Sequence, residues 1–278
     1  MSGQQAHRAG PGWFTRVFAH GLSGWVTLIT YIFMLAPIVV LIAFAFNAGR
    51  STVVWTGFSL DWFEVVWNNR HIARALQVSL IVAVASAAIS TATGALAAVA
   101  ITRRQFLGRD ALGAALAAPL VLPEIVLGVA LLVFMSFMGV TLGYGTMIIG
   151  HVLVSLPFST LIVRAAASSL DLQLENAAAD LGANEWQTFR MVTLPQLMPA
   201  IFTAFILSAT LSFDNLVMST FTSGVGTTTL PLRIYSMLKL GITPEINALG
   251  TLLVVANVAI LFLVMGRYLP LMLKTSRR

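Results

Sequence analysis

Hydrophobic and polar positions along this chain segregate into long blocks and do not alternate over short ones. Six stretches are mostly apolar over roughly the ~20 residues a helix needs to cross a hydrocarbon core: 25–46, 78–101, 112–135, 145–161, 200–222 and 248–269. The fourth is the shortest and is interrupted by His151, Ser155 and Pro157. The pattern predicts an all-α, polytopic membrane protein with about six transmembrane helices. The N-terminal segment is polar and runs into the first apolar block with no small-residue cleavage site, so it reads as an uncleaved signal-anchor. The expected organisation is a cytoplasmic segment 1–23, a transmembrane domain 24–270 and a basic cytoplasmic tail 271–278.

Composition supports lipid as part of the solvent. The chain of 278 residues is 58% hydrophobic and 9% charged, with mean hydropathy +0.89, whereas a soluble domain carries about 25% charged residues. The absence of cysteine removes disulfides, thiolate catalysis and Cys-ligated metals. A net charge of +6 could point to nucleic acid, but the basic residues flank apolar runs and line no single face, so no nucleic-acid partner is expected.

Their distribution instead sets orientation. With six crossings and the N-terminus inside, the cytoplasmic side holds Arg8, Arg16, Arg103, Arg104, Arg109, Arg164, Arg190, Arg267, Lys274, Arg277 and Arg278. The other side holds Arg50, Arg70, Arg74, Arg233 and Lys239, a division of 11 against 5 among 16 basic residues. Both termini are therefore expected in the cytoplasm. On the outside, Trp55, Trp62, Phe63 and Trp67 in segment 47–77 predict a short helix at the membrane surface, where aromatic rings are stable. A second outer segment, 223–247, is rich in Gly, Thr and Pro.

The connection between the fourth and fifth runs, about 165–196, has its own pattern. Leu170, Leu174, Ala177, Ala178 and Leu181 form an apolar helical stripe, with Gln173, Asn176 and Asp180 opposite. Gly182 provides a helix end that tolerates positive φ. Asn184 and Gln187 have capping-box spacing and start a second short helix, which Leu194-Pro195 is expected to close before the fifth span. The loop reads as a helix–turn–helix outside the bilayer.

Asn176-Ala177-Ala178-Ala179-Asp180-Leu181-Gly182, nine residues, then Val192-Thr193-Leu194-Pro195 resembles the EAA loop of ATP-binding-cassette importer permeases. Asn176 stands where that family has Glu, with Glu175 adjacent, and Val192 where it has Ile. The resemblance implies a coupling helix seated in a groove of a cytoplasmic ATPase, with Glu175, Asn176, Ala177, Ala178, Asp180, Gly182, Leu194 and Pro195 as coupling residues. Ala177 and Ala178 would permit close approach, and Gly182 would set the angle between the two short helices. The chain lacks the Gly-x4-Gly-Lys-Ser/Thr loop that cradles phosphate, so ATP and Mg are expected on a partner and no cofactor on this chain.

Glu124 and Asp214 lie within apolar runs, where a charge costs about 2.5–3.5 kcal/mol on insertion scales, and such groups usually face a cavity or a partner. No Lys or Arg occupies the central part of any run to neutralise them, which favours a cationic solute. Pro119 and Pro123 predict a kink that could leave room near Glu124. Further segments resemble the spermidine/putrescine branch of these permeases: Pro123-Glu124-Ile125-Val126, Ser212-Phe213-Asp214-Asn215, Thr229 to Met237 and Pro244 to Leu249. Many members of that branch have a second acid where Asn215 stands. Glu124, Asp214 and Asn215 are the candidate substrate-path residues.

The resemblance implies a second, related permease, two ATPase subunits and a periplasmic substrate-binding protein in a bacterial inner membrane. Related branches carry opines, aminoethylphosphonate or ferric iron. A rival class, a membrane-embedded enzyme, would have only Glu124 with Asp214 as a reacting pair. Ser236-x-x-Lys239 lacks the companion motifs of a serine acyl-enzyme, and the four scattered histidines have no metal-site spacing. His151 reads as a hydrogen-bond donor within the bundle. A purely structural membrane subunit would have no use for the EAA-like loop.

Overall fold

A computed structural model describes residues 13–51, 54–241 and 243–275, with side chains placed for 24–51, 54–241, 243–259 and 262. The first twelve and last three residues of the expected cytoplasmic segments, with His7, Arg8, Arg277 and Arg278, lie outside the described residues.

The described chain is helical and divides into two compact units, Met1–Asn68 with Gly241–Arg278, and Asn69–Leu240. The first contains α1 (Trp13–Ala45), α2 (Asp61–Asn68) and α12 (Pro244–Thr275). Apolar side chains cover most of α1 and remain exposed from Trp25 through Val40, as expected of a lipid-facing helix. Near its end Leu41 meets Gly250 of α12, where an added Cβ would lie 3.2 Å from Leu41. The segment between α1 and α2 is organised by the fully buried Asn47. Its Nδ2 donates to the carbonyls of Ser51 and Val54, and its Oδ1 accepts from the amide and hydroxyl of Thr56. The Trp62 indole N–H donates to the Asn47 carbonyl at 3.0 Å, fixing α2, the short helix expected from the aromatic cluster.

The second unit contains α3 (Arg70–Arg103), α4 (Arg109–Val121), α5 (Glu124–Phe137), α6 (Tyr144–Ser169), α7 (Leu172–Asp180), α8 (Glu185–Thr188), α9 (Leu194–Phe213), α10 (Leu216–Thr222) and α11 (Leu230–Leu240). Its core lies where α3, α6 and α9 pack together. Helices in lipid gain little from hydrophobic exclusion and associate through small residues and polar contacts. Along α3, Ser79, Ala83, Ser86, Ala87, Ser90, Gly94, Ala98 and Ile101 form such a buried stripe. At Gly94 an added Cβ would stand 2.9 Å from Ser159 Cβ and 3.0 Å from the Thr160 backbone nitrogen of α6.

The third predicted span, 112–135, is divided into α4 and α5 by a 109° bend at Leu122-Pro123, the site of the expected kink. Pro123 has no N–H to continue the ladder, and the residue before a proline is driven out of the helical region. Leu122 accordingly sits at φ −82°, ψ 137°. The fifth predicted span is also broken, with Asp214-Asn215 separating α9 from α10. Among the described residues four helices are long and apolar enough to cross a membrane, five if the bent pair is one span. The sixth predicted run falls on α12.

Buried polar groups tie these helices together. Ser159 of α6 bonds Ser208 of α9 at 2.7 Å, and Thr146 of α6 donates to the Thr222 carbonyl of α10. His151, 1% exposed, bridges the break after α9: its Nδ1 is 2.7 Å from Ser212 Oγ and its Nε2 is 3.2 Å from Ser219 Oγ. Ser219 donates its own proton to the Asn215 carbonyl at 2.7 Å, so it accepts from His151 and the ring carries its hydrogen on Nε2. Nδ1 is then free to accept from Ser212.

Two stability measurements follow. Gly94→Val should destabilise the purified protein by about 1–3 kcal/mol, the usual cost of overpacking, whereas Gly113→Ala, which meets nothing within 4 Å, should not. His151→Phe should cost about 1–3 kcal/mol by leaving buried hydroxyls without their partner. Both are read as unfolding midpoints in detergent, and a midpoint unchanged by His151→Phe would contradict the bridging role.

Candidate functional site

Two regions gather the residues singled out in the sequence. The first is where the two helix breaks meet. Glu124 is the first residue of α5, where a carboxylate complements the helix N-terminus. Asn215 caps α10 through Oδ1, which accepts from Met218 N at 2.8 Å, and its Nδ2 donates to Glu124 Oε1. One side chain therefore closes the start of α10 and holds the acid at the start of α5. Close packing makes this possible: Gly128 lies under Phe221, so near that an added Cβ would be 2.5 Å from the ring.

Asp214 occupies the C-terminal end of α9, where the dipole is negative. It is exposed, and no hydrogen bond or ion pair engages its carboxylate among the described residues. Glu124 likewise has no cationic partner there. The structure thus brings Glu124 and Asn215 into contact and leaves Asp214 beside them in sequence, facing outward. Two acids and the carbonyl end of a helix form a region suited to a cation. The expected kink near Glu124 is present as the full break before it. The support beneath this site from His151, Ser212 and Ser219 is not visible in the sequence, where those residues carry no spacing that links them.

The second region is the connection between α6 and α9. Asp171 caps α7 by accepting from Gln173 N, and Gly182 ends it at φ +88°, the left-handed value anticipated for it. Asn184 and Gln187 form the anticipated capping box, with bonds of 2.8 and 2.9 Å. Leu194-Pro195, however, does not close the second helix. The chain stays helical from α8 through a π-turn at Phe189–Thr193 into α9, and Glu185–Phe213 is one 29-residue rod. The wider π-turn accommodates the missing amide of Pro195 without a break, since such turns relax the ladder locally.

The apolar stripe of this loop is turned mostly outward. Leu174 is 48% and Leu181 90% exposed, and Ala177 is exposed too; only Glu175 and Ala178 are half-buried on this helix. Asn176 and Asp180 are exposed. Trp186 and Met191 add to the exposed apolar surface at 66% and 72%. An apolar face presented outward suits a protein partner.

Glu175 points the other way. Its Oε1 accepts from the Thr193 hydroxyl at 2.8 Å and lies 3.2 Å from Arg103 Nη2. Arg104 donates to Glu185 of α8. That hydrogen bond and the guanidinium charge hold Glu185 below the usual carboxylate range and raise Arg104. The contribution of Glu185 is therefore present above its ordinary pKa and is lost as pH falls through the lowered one. Both groups are fully exposed and screened by salt. In the sequence Arg103 and Arg104 stand only as topological charges, because their pairing partners lie 72 and 81 positions away.

The comparisons place these features in a known setting. Residues 90–272 match the family described as binding-protein-dependent transport system inner membrane component. The spermidine/putrescine transport system permease protein PotC of Escherichia coli K12 is 38% identical over 234 residues, spanning 84% of this chain and 88% of that protein. PotC of Haemophilus influenzae is 36% identical over 235 residues, spanning 84% and 91%. The putrescine transport system permease protein PotI of E. coli K12 is 33% identical over 235 residues, spanning 82% and 84%. Among solved structures, a bacterial ABC transporter involved in import of the acidic polysaccharide alginate aligns with TM-score 0.73 at 17% identity. That alignment covers 94% of this chain and 99% of the other, and concerns the fold alone. With the family matched over residues 90–272 and relatives of 33–38% identity matched over more than four fifths of this chain, the chain belongs to the inner-membrane components of binding-protein-dependent transport systems.

Proposed function

We propose that this permease forms half of the translocation path for a small cationic solute of the polyamine class, putrescine or spermidine. The observation that carries the reading is the pair of carboxylates, Glu124 and Asp214, at the breaks of two discontinuous helices with no cationic side chain paired to either. Discontinuous helices that leave polar groups at the break are a recurring way to build solute sites in transporters. The names of PotC and PotI support the same solute class. Asn215, in place of an acid, lowers the local negative charge and fixes Glu124 in position.

In this reading the chain holds neither ATP nor Mg. Hydrolysis occurs on two ATPase subunits that dock on Asn176, Ala177, Asp180 and the exposed apolar side chains of α7 and α8. A second, related permease forms the other half of the path. A periplasmic binding protein delivers solute to the outer loops, as in the alginate transporter solved with its pentasaccharide-bound periplasmic protein. Both termini face the cytoplasm, with 1–23 and 271–278 flanking the membrane domain. The rod Glu185–Phe213 joins the docking surface directly to the end where Asp214 sits, so displacement of α8 moves the site.

The test is reconstitution of the complete importer in proteoliposomes, with hydrolysis measured against putrescine- and spermidine-loaded binding protein. Polyamine should stimulate hydrolysis, and Asp214→Asn or Glu124→Gln should raise the half-saturating solute concentration by about tenfold, equivalent to ~1.4 kcal/mol. Coupled hydrolysis with no polyamine response would move the solute to another class, such as an opine, aminoethylphosphonate or ferric iron, and retain the permease.

A further inference from the structure

We propose that Arg103 and Glu175 form an internal clamp that makes α3 a second output of the ATPase-docking loop, alongside α9; this rests on the docking role given to that loop above. The adjacent acid and amide at 175 and 176 divide two tasks, with Glu175 gripping the permease itself and Asn176 facing the partner.

Three elements converge on the Glu175 carboxylate. It belongs to α7, accepts from Thr193 in the π-turn that leads into α9, and pairs with Arg103 at the last turn of α3. The Arg103 and Glu175 side chains are 14% and 23% exposed, against 63% and 80% for Arg104 and Glu185. Screening therefore spares the inner pair and weakens the outer one. Asn176, one position along the same helix, is exposed and has no side-chain hydrogen bond or ion pair among the described residues. Rotation of 100° per residue sends these two neighbours to different faces.

The inner pair is also incompletely made. Arg103 Nη2 lies within ion-pair distance of Glu175, yet neither it nor the buried Nε has an aligned hydrogen-bond acceptor. A guanidinium can grip a carboxylate through two parallel bonds, and a small approach of α7 to α3 would let both donors engage. The proposed clamp would alternate between the loose contact seen here and a bidentate one, which is the physical requirement for an element that transmits force between states. α3 is 34 residues long and carries Ser79, Ser86 and Gly94 in the core. Ser86 donates to Ser212, whose hydroxyl meets His151 beneath the Asp214-Asn215 break. A pull on Arg103 would reach that site along a packed path, independent of the rod that ends in α9.

The experiment reads putrescine uptake per ATP hydrolysed by the complete reconstituted importer. Arg103→Glu and Glu175→Arg should each lower the ratio about tenfold, within the usual range of coupling factors, and the double exchange should recover most of it. Glu175→Gln tests the same contact with little structural risk and should lower the ratio in the same direction. Recovery of Glu175→Gln by Asn176→Glu would overturn the proposal, because the acid would then act at the partner surface. Single reversals at the wild-type ratio would overturn it as well. If the wild-type importer hydrolyses ATP without taking up putrescine, the solute assignment fails by itself. Stimulation of hydrolysis by binding protein then replaces the ratio, and unaltered stimulation in the single reversals refutes the clamp.

Discussion

A helix broken inside lipid must satisfy its freed backbone groups from within the protein, and the arrangement of this permease follows from how that is done. The hydrocarbon core supplies no water to cap an open end. Here two breaks are placed together and close each other. Asn215 caps α10 with its oxygen and binds Glu124 with its nitrogen. Ser219 satisfies the Asn215 carbonyl and is in turn held by His151. These bonds give a histidine and several serines a role in a core that small apolar residues could otherwise fill.

That closure bears on function because it is incomplete in one direction only. The groups facing the bundle are satisfied, while Asp214 is left exposed at the carbonyl end of α9. Under the proposed function, a cation arriving there meets a carboxylate at the carbonyl end of α9 that needs no reorganisation. In the proposed reading, selectivity by charge then requires no tight cavity.

Much of this was legible in the sequence wherever a local rule governs. Most of the helices, the short helix of the aromatic segment, Gly182 and the Asn184–Gln187 cap follow from interactions within a few residues, and they are present. Pro123 announced a kink but not its size, because the 109° bend depends on what α5 packs against. The apolar stripe on α7 was identified, but its direction could not be. An isolated chain gives no indication whether Leu174 and Leu181 serve its own core or a partner, and the periodicity is the same in both cases. The pairing of Arg103 with Glu175 and of Asn215 with Glu124 spans 72 and 91 positions, beyond any local pattern.

The continuity from α8 through the π-turn into α9 alters how the loop should be understood. A hinge at Leu194-Pro195 would have absorbed motion, since a flexible joint transmits force poorly. The rod without a hinge transmits it, but a single rod can only translate or tilt. Opening a path on one side of a membrane while closing it on the other requires at least two helices to move relative to each other. α3 and α9 are both packed on α6 and both attached to the loop, α9 by continuous backbone and α3 by one half-buried ion pair. On the proposed coupling, a covalent attachment and a remakeable one, acting on neighbouring helices, would convert a single displacement at the docking surface into a differential movement beneath the two breaks.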